Sequence, residues 1–266
     1  MRVLVTGAAG SIGRVVTVAL AARGHEVVSL DRVPEPDGNE TRFHTVDCAD
    51  ADAVAAVFAE ERLDGVVHLA GHPDEASLPD SLTSHVHTTA ALLDAMVEHD
   101  VSRLVYASSN HAVGRTPRRE LLPIDTRPRP DTFYGVGKVA AEALMSLYAD
   151  RYGLDTVACR IGSFLPRPET IRHLSTWLSP DDCVRMVEAA LTATAPGFAA
   201  LYGISANTRA WWDLEPGRAL GYEPQDDAEA FAASISPSPE DDWDGAHVGG
   251  PFATSTYHRP ALDRRD

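Results

Sequence analysis

The sequence predicts a doubly wound α/β fold, a parallel sheet covered on both faces, with a small C-terminal lobe. Three observations carry this. Short apolar runs alternate with helix-length amphipathic segments from residue 2 to residue 160. The first apolar run passes through the glycine-rich turn Gly7-Ala8-Ala9-Gly10-Ser11-Ile12-Gly13 into the first helical pattern. Polar residues able to do chemistry recur directly after the apolar runs, at the edge where such sheets bind ligands.

Taken in order, residues 2–6 form a strand around Val3-Leu4-Val5, and Arg14 to Arg23 form a helix with Val15, Val18, Ala19 and Ala22 at helical spacing. Val27-Val28-Ser29-Leu30 is a second strand, ending at Asp31. Val33 to Arg42, rich in proline, glycine and acid, is a surface loop; Phe43 to Val46 is a third strand closed by Asp47, and Asp50 caps a helix running through Phe58. Gly65-Val66-Val67-His68-Leu69 runs into Ala70-Gly71, Ser81 to His99 carries a long helical pattern, and Arg103-Leu104-Val105-Tyr106-Ala107 makes another strand. Tyr134-Gly135-Val136-Gly137-Lys138 opens a helix after the proline-rich loop Pro117 to Pro130. Ser179-Pro180-Asp181-Asp182 starts a further helix, with Val184, Val187, Ala190 and Leu191 on its apolar face.

A buried strand that ends in closely spaced glycines and starts a helix lets backbone N–H groups, and the positive end of the helix dipole, approach a phosphate. Gly7, Gly10, Ser11, Ile12 and Gly13 are therefore candidate ligands of a dinucleotide in a Rossmann-type sheet; such turns also occur as bare backbone punctuation. Asp31 lies about 20 residues beyond the turn, where a carboxylate accepts hydrogen bonds from the adenosine ribose and repels a 2′-phosphate. It favours NAD over NADP, while Arg32 beside it argues the other way. Asp47 is either a loop acid or a neighbour of the adenine, and the strand end Leu69-Ala70-Gly71 lets a cofactor lie against the backbone.

Bulk properties exclude other classes. A chain of 266 residues can bury a sizeable core, and a net charge of −16 argues against nucleic acid and anionic membranes, which need a basic surface. One or two local arginines can still hold a small anion against a field that salt screens. Cys48, Cys159 and Cys183 are odd in number and lack metal-ligand spacing, so neither a disulfide framework nor a metal site is expected. The chain enters its first strand at once and holds no apolar run of about 18 residues, so a cytoplasmic protein without a membrane segment is expected.

Ser108-Ser109-Asn110-His111 follow a buried strand and set short polar side chains at the carboxyl edge of the sheet, beside the glycine turn; they are also ordinary turn formers. Tyr134 and Lys138, four residues apart, share one helix face. A phenol titrating near ~10 is a poor base at neutral pH, but a neighbouring ammonium and a positive nicotinamide favour the phenolate. The pair can then take a proton from an alcohol while hydride leaves the same carbon. This spacing is common on helices by chance, but chance explains poorly its occurrence after the glycine turn, Asp31 and the serine loop.

With its motifs in this order, the chain resembles the extended short-chain dehydrogenases/reductases, the NAD-dependent epimerase/dehydratase superfamily, over almost its whole length. The resemblance implies that Ser109 hydrogen-bonds the reacting oxygen, Tyr134 is the acid/base, and Lys138 holds the nicotinamide ribose while lowering the tyrosine pKa, with Asp47 and Cys48 on the cofactor. Ala107-Ser108-Ser109-Asn110-His111, Arg160-Ile161-Gly162-Ser163, Leu174-Ser175-Thr176-Trp177, Ser205-Ala206-Asn207 and Trp211-Trp212-Asp213 are similar to the uronate dehydrogenases, a short branch that oxidises C1 of galacturonate or glucuronate with NAD to an aldarolactone. That likeness implies that Asn110, His111 and Ser163 contact sugar hydroxyls and that Arg172 holds the substrate carboxylate, which a guanidinium grips with two parallel hydrogen bonds.

The resulting expectation is a dinucleotide-binding unit at 1–160, a substrate-binding portion at 161–233 packed on the same domain, and a tail at 234–266. The implied ligands are NAD and a sugar acid, without metal, in a homo-oligomer. Two residues depart from the family pattern: His85 stands where an asparagine supports a proton relay to the lysine, and Pro73 where a serine contacts substrate. The histidine replaces the relay, alters the pH dependence or marks a drift in substrate; the proline removes a hydroxyl contact. Trp211 and Trp212 either stack on sugar or pack the C-terminal lobe. Ser236-Pro237-Ser238-Pro239-Glu240-Asp241-Asp242 reads as a linker or mobile tail, whose later part, through Val248 and Phe252, has the option of reattaching to the body or to another subunit. A nucleotide-sugar epimerase or dehydratase with tightly held NAD, and a dinucleotide sensor without turnover, are the alternative functions.

Overall fold

The structure, a computed structural model, describes residues 1–34 and 41–254; residues 35–40 of the expected loop and 255–266 of the expected tail lie outside the described residues, while 234–254 are described, with Val248 buried against the body. Nine strands occur among the described residues: β1 (Arg2–Thr6), β2 (Glu26–Asp31), β3 (Arg42–Thr45), β4 (Gly65–His68), β5 (Arg103–Ser109), β6 (Asp155–Ile161), β7 (Ser163–Phe164), β8 (Trp177–Leu178) and β9 (Phe198–Gly203). Seven of them form one sheet in the order β3-β2-β1-β4-β5-β6-β9, and β7 pairs with β8. All ladders of the large sheet are parallel, with Thr6 level with both Leu30 and His68. Strand order reverses between β1 and β4, so a crevice opens beyond the carboxyl ends of these two strands.

Helices α1 (Ser11–Ala22), α2 (Ala51–Glu60), α3 (Leu78–Leu82), α4 (Thr88–Glu98), α5 (Phe133–Tyr152), α6 (His173–Thr176) and α7 (Pro180–Thr192) connect the strands. Side chains alternate along each strand, so Val3 and Val5 pack with Val16 and Leu20 of α1 and with Met186 and Val187 of α7. Leu4 faces the opposite layer, with Phe58 of α2, Leu92 and Met96 of α4, and Met145 of α5. Coverage of both faces explains why the strands read as continuous apolar runs. Trp211 and Trp212 close a third core with Val113, Leu122, Tyr202, Ile204 and Val248, so both indoles pack rather than project. No helix of the described residues is long and apolar enough to cross a membrane.

Local chemistry sets the helix ends. The Asp50 carboxylate accepts from Ala53 N at 3.0 Å, Thr132 Oγ1 from Gly135 N at 2.9 Å, and Ser179 Oγ from Asp182 N at 2.9 Å. Two elements differ from the expected boundaries. Helix α1 begins at Ser11 rather than Arg14 because Gly10 is still extended and acts as its cap, which puts the glycine turn itself at the helix N-terminus. The pattern expected over 81–99 is divided by a π-turn at Thr83–His87, where Thr88 N–H reaches back to the Thr83 carbonyl. The extra residue turns His85 inward, and Thr89 Oγ1 donates to the carbonyl of His85 at 2.6 Å.

Candidate active site

The glycine turn is shaped by close backbone approach. Gly7 sits at φ +70°, and a Cβ there would lie 2.6 Å from Ala70 N; a Cβ on Gly13 would lie 2.2 Å from the Gly7 carbonyl oxygen. Any side chain at either place would force the turn away from β4 or from α1. Asp31, at the end of β2, accepts from Ala9 N at 2.9 Å, so its carboxylate is tied to the turn. Gly7, Gly10, Asp31, Asp47, Cys48, Leu69, Ala70 and Gly71 line a cleft of about 610 Å³, with Arg32 also on its wall. A second cavity of about 270 Å³ shares Gly7, Gly10, Leu69 and Gly71 and is completed by Ser11, Ile12, Gly13, Ser109, Tyr134 and Lys138. A trough with a glycine cradle at its centre, a carboxylate at one end and a phenol at the other fits a dinucleotide.

At the phenol end, Lys138 Nζ donates to the Ala107 carbonyl at 2.7 Å and stands 4.7 Å from the centre of the Tyr106 ring and 5.2 Å from that of Tyr134. Burial pushes the ammonium down to about 7, against the pull of the Glu142 carboxylate. Burial pushes the Tyr134 phenol up to about 12; a hydrogen bond with Ser109 opposes this and the charge of Asp74 adds to it. The phenol is thus protonated at neutral pH until further positive charge arrives beside it.

Glu142, one turn beyond Lys138, accepts from Ser108 Oγ, from Arg160 Nε at 3.0 Å and from Arg160 NH2 at 2.8 Å. Glu75 grips the start of α5, accepting from Phe133 N at 3.0 Å and from Tyr134 N at 3.2 Å. His85 meets Tyr134 edge-on at 4.9 Å.

On the far side of Tyr134, the His111 ring lies 5.8 Å away, and its Nδ1 is 2.9 Å from both Asp131 oxygens. Asn110 Oδ1 accepts from Ser109 Oγ at 3.3 Å, while its Nδ2 donates to the Val248 carbonyl at 2.9 Å. The same carbonyl accepts from Arg172 NH2 at 2.7 Å, and Arg172 NH1 donates to Ser163 Oγ at 3.3 Å. Burial pushes the Arg172 guanidinium down to about 10, which leaves it charged at neutral pH. The cavity it lines, of about 170 Å³ with Arg118, Arg209, Trp211 and Asp244, shares no lining residue with the cavity that holds Tyr134 and Lys138.

The expected residues therefore form two groups. Gly7, Gly10 to Gly13, Asp31, Asp47, Cys48, Leu69 to Gly71, Ser109, Tyr134 and Lys138 line two adjoining cavities that share Gly7, Gly10, Leu69 and Gly71. Asn110, His111, Ser163 and Arg172 line neither of these cavities; His111 meets the Tyr134 ring, and Asn110 and Arg172 are joined through the Val248 carbonyl, with Ser163 bonded to Arg172 and Phe252 at 5.2 Å from the His111 ring. Sequence reading missed Asp131, Glu75 and the Arg160 side chain, each distant in the chain from its partner. Glu142 had a usable signal, since it continues the four-residue spacing of Tyr134 and Lys138.

A parallel sheet with a dinucleotide trough and a Ser-Tyr-Lys cluster at one end defines a class, and the chain belongs to the NAD-dependent epimerase/dehydratase family, whose profile matches residues 3–178. It is similar to the uronate dehydrogenase of Pseudomonas syringae pv. tomato, 35% identical over 260 residues, covering 96% of this chain and 94% of that one. The uronate dehydrogenase of Agrobacterium fabrum is 40% identical over 247 residues, covering 90% and 92% respectively. Among solved structures, a mutant of the Agrobacterium tumefaciens uronate dehydrogenase complexed with NAD superposes with a TM-score of 0.88 at 38% identity, over 97% of this chain and 99% of that one.

Proposed function

We propose that this protein oxidises a hexuronic acid, galacturonate or glucuronate, at C1 with NAD, yielding the aldarolactone. The observation that carries the reading is the convergence of Ser109, Tyr134 and Lys138 on one cavity; Arg172 is tied to Asn110, the neighbour of Ser109, through the Val248 carbonyl that both donate to. The similarity to uronate dehydrogenases over nearly the whole chain supports the sugar-acid substrate.

When bound, the nicotinamide supplies the hydride acceptor and a positive charge beside the phenol. Tyr134 Oη takes the proton of the anomeric hydroxyl as the C1–H bond breaks and the C1–O bond gains carbonyl character, and Ser109 Oγ steadies that oxygen. Lys138 holds the nicotinamide ribose and favours the phenolate. The N–H groups of the glycine turn receive the pyrophosphate and Asp31 the adenosine ribose. Arg172 grips the far carboxylate and so orients C1, with Asn110, His111 and Ser163 on the sugar hydroxyls. In this reading residues 1–160 hold the cofactor, 161–233 supply the substrate side, and the enzyme works in the cytoplasm as a homo-oligomer.

NADH absorbance with galacturonate, glucuronate and the matching neutral aldoses, with NADP in parallel, tests the reading. Arg172→Ala should weaken the uronates far more than the neutral aldoses; equal losses would remove the arginine from that role. Recycling of bound NAD on a nucleotide sugar, with no NADH released on uronates, would reject the dehydrogenase reading outright.

A further inference from the structure

We propose that Gly249 and Gly250 form a clasp that sets the two charged ends of the substrate pocket, and that Gly250 is a specificity-determining position for the acid sugar. The proposal rests on the assignment of Arg172 to the substrate carboxylate and extends it to residues far along the chain. Residues 246–250 run beside the loop at 114–118: Arg118 N donates to the Ala246 carbonyl at 2.8 Å, Val248 N to the Thr116 carbonyl at 3.0 Å, and Gly249 N to the Gly114 carbonyl at 2.9 Å. Val248 is fully buried in the third core, which anchors the segment as a fixed wall.

From that wall two glycines press on two side chains. A Cβ on Gly249 would fall 1.6 Å from Asp131 Oδ2, the carboxylate that holds His111. A Cβ on Gly250 would fall 2.4 Å from Arg172 Nε and 2.9 Å from its Cζ. Neither distance is one that a side chain can occupy, so a methyl at 250 moves the guanidinium off the bonds that now hold it. Its NH2 is held by the Val248 carbonyl at 2.7 Å and its NH1 by Ser163 at 3.3 Å. The absence of a side chain at 250 is thus what allows the Val248 carbonyl to fix one edge of Arg172. A carboxylate is recognised by the direction of a rigid N–H fork, so a shift of this anchor falls on the acid group rather than on C1.

Five variants test this on the full-length, NAD-loaded enzyme. Gly250→Ala should lower kcat/KM for galacturonate or glucuronate by roughly tenfold or more, the scale of one charge-assisted hydrogen bond, mainly through KM. The matching neutral aldose should change far less, and the Kd for NAD should hold. Gly249→Ala, which displaces Asp131 from His111, should depress acid and neutral sugars alike. Gly197→Ala is the control for backbone strain, because Gly197 has φ +57°, close to the +62° of Gly250, with nothing within 4 Å of its would-be Cβ; it should alter neither sugar.

The double variant Gly250→Ala/Arg172→Ala has space for the new methyl, and in that background the alanine at 250 should add no further loss on uronate. Equal losses on both sugars from Gly250→Ala, or additive losses in the double variant, would overturn the clasp. If Arg172→Ala alone leaves the acid-to-neutral ratio unchanged, the carboxylate assignment fails and the clasp falls with it. If Arg172→Ala collapses the ratio and Gly250→Ala leaves it intact, the clasp alone is refuted.

Discussion

Replacing Glu142 by leucine removes one partner of an ion pair sealed beneath the active site. Both side chains are 7% exposed, the guanidinium approaches through Nε at 3.0 Å and NH2 at 2.8 Å, and the remaining Arg160 NH1 is committed to the Ile124 carbonyl at 2.9 Å. With the carboxylate gone, the buried guanidinium keeps its charge but loses the one carboxylate paired with it among the described residues. Breaking a buried pair in this way costs about 3–5 kcal/mol, and at about 2–4 °C per kcal/mol for a large domain the melting point should fall by roughly 6–20 °C. Thermal unfolding followed by circular dichroism measures it. Changing both partners to apolar residues, Glu142→Leu with Arg160→Met, should recover much of the loss, because a buried pair is worth little against well-packed apolar replacements. A single variant that melts within about 2 °C of wild type, or a double variant as unstable as the single, would refute the buried-charge account.

Three further outcomes follow from the same chemistry. Tyr134→Phe keeps the ring against His85 and His111 and loses only the hydroxyl, so turnover should fall by at least about 100-fold, as for loss of a general base, while NAD affinity measured by calorimetry stays within a few-fold. Lys138 is lowered from 10.5 to about 7, so between these values the unfolded chain binds the extra proton and stability rises with pH; the penalty is full below about 7 and gone above 10.5. Lys138→Met should therefore melt higher relative to wild type at pH 6 than at pH 10, a gap that thermal melts across that range will show. Burial pushes the Cys48 and Cys159 thiols up to about 12 and the Cys183 thiol higher still, so a thiol reagent at pH 8 should label the native protein slowly and the urea-unfolded protein quickly.

The alternation of apolar runs with helical patterns carried the sheet into view because both faces are covered, and a doubly buried strand has no polar alternation to obscure it. The glycine turn and the Tyr-Lys spacing were legible for a related reason, since each is local and its chemistry is set by a few consecutive or helically spaced residues. Asp131 illustrates the other case. It is bonded to His111, 20 residues away, and pressed by Gly249 from near the far end of the chain. No periodicity links these positions; they meet only once Val248 has entered the third core. The π-turn was likewise hidden, because one extra residue leaves the apolar spacing of 81–99 almost intact while rotating the residues on either side.

That rotation bears on His85, where the family pattern has asparagine. The imidazole is 1% exposed, and burial first, then the Lys138 charge, push it down to about 2, so it stays neutral at any working pH and adds no ionisation of its own to a pH–rate profile. Its bulk is accommodated by backbone: Cβ atoms on Gly71 and Gly137 would lie 2.8 Å from its Cε1 and 3.0 Å from its Cδ2. The ring then meets Tyr134 at an interplanar angle of 90°, which packs the two rings edge to face. Pro73 lines the same cavity without a hydroxyl to donate. Both departures therefore act on the shape and hydrogen bonding of the space beside Tyr134. On the proposed roles of Tyr134 and Lys138, the pH–rate profile of the oxidation should report the phenol and the ammonium with no third ionisation from His85.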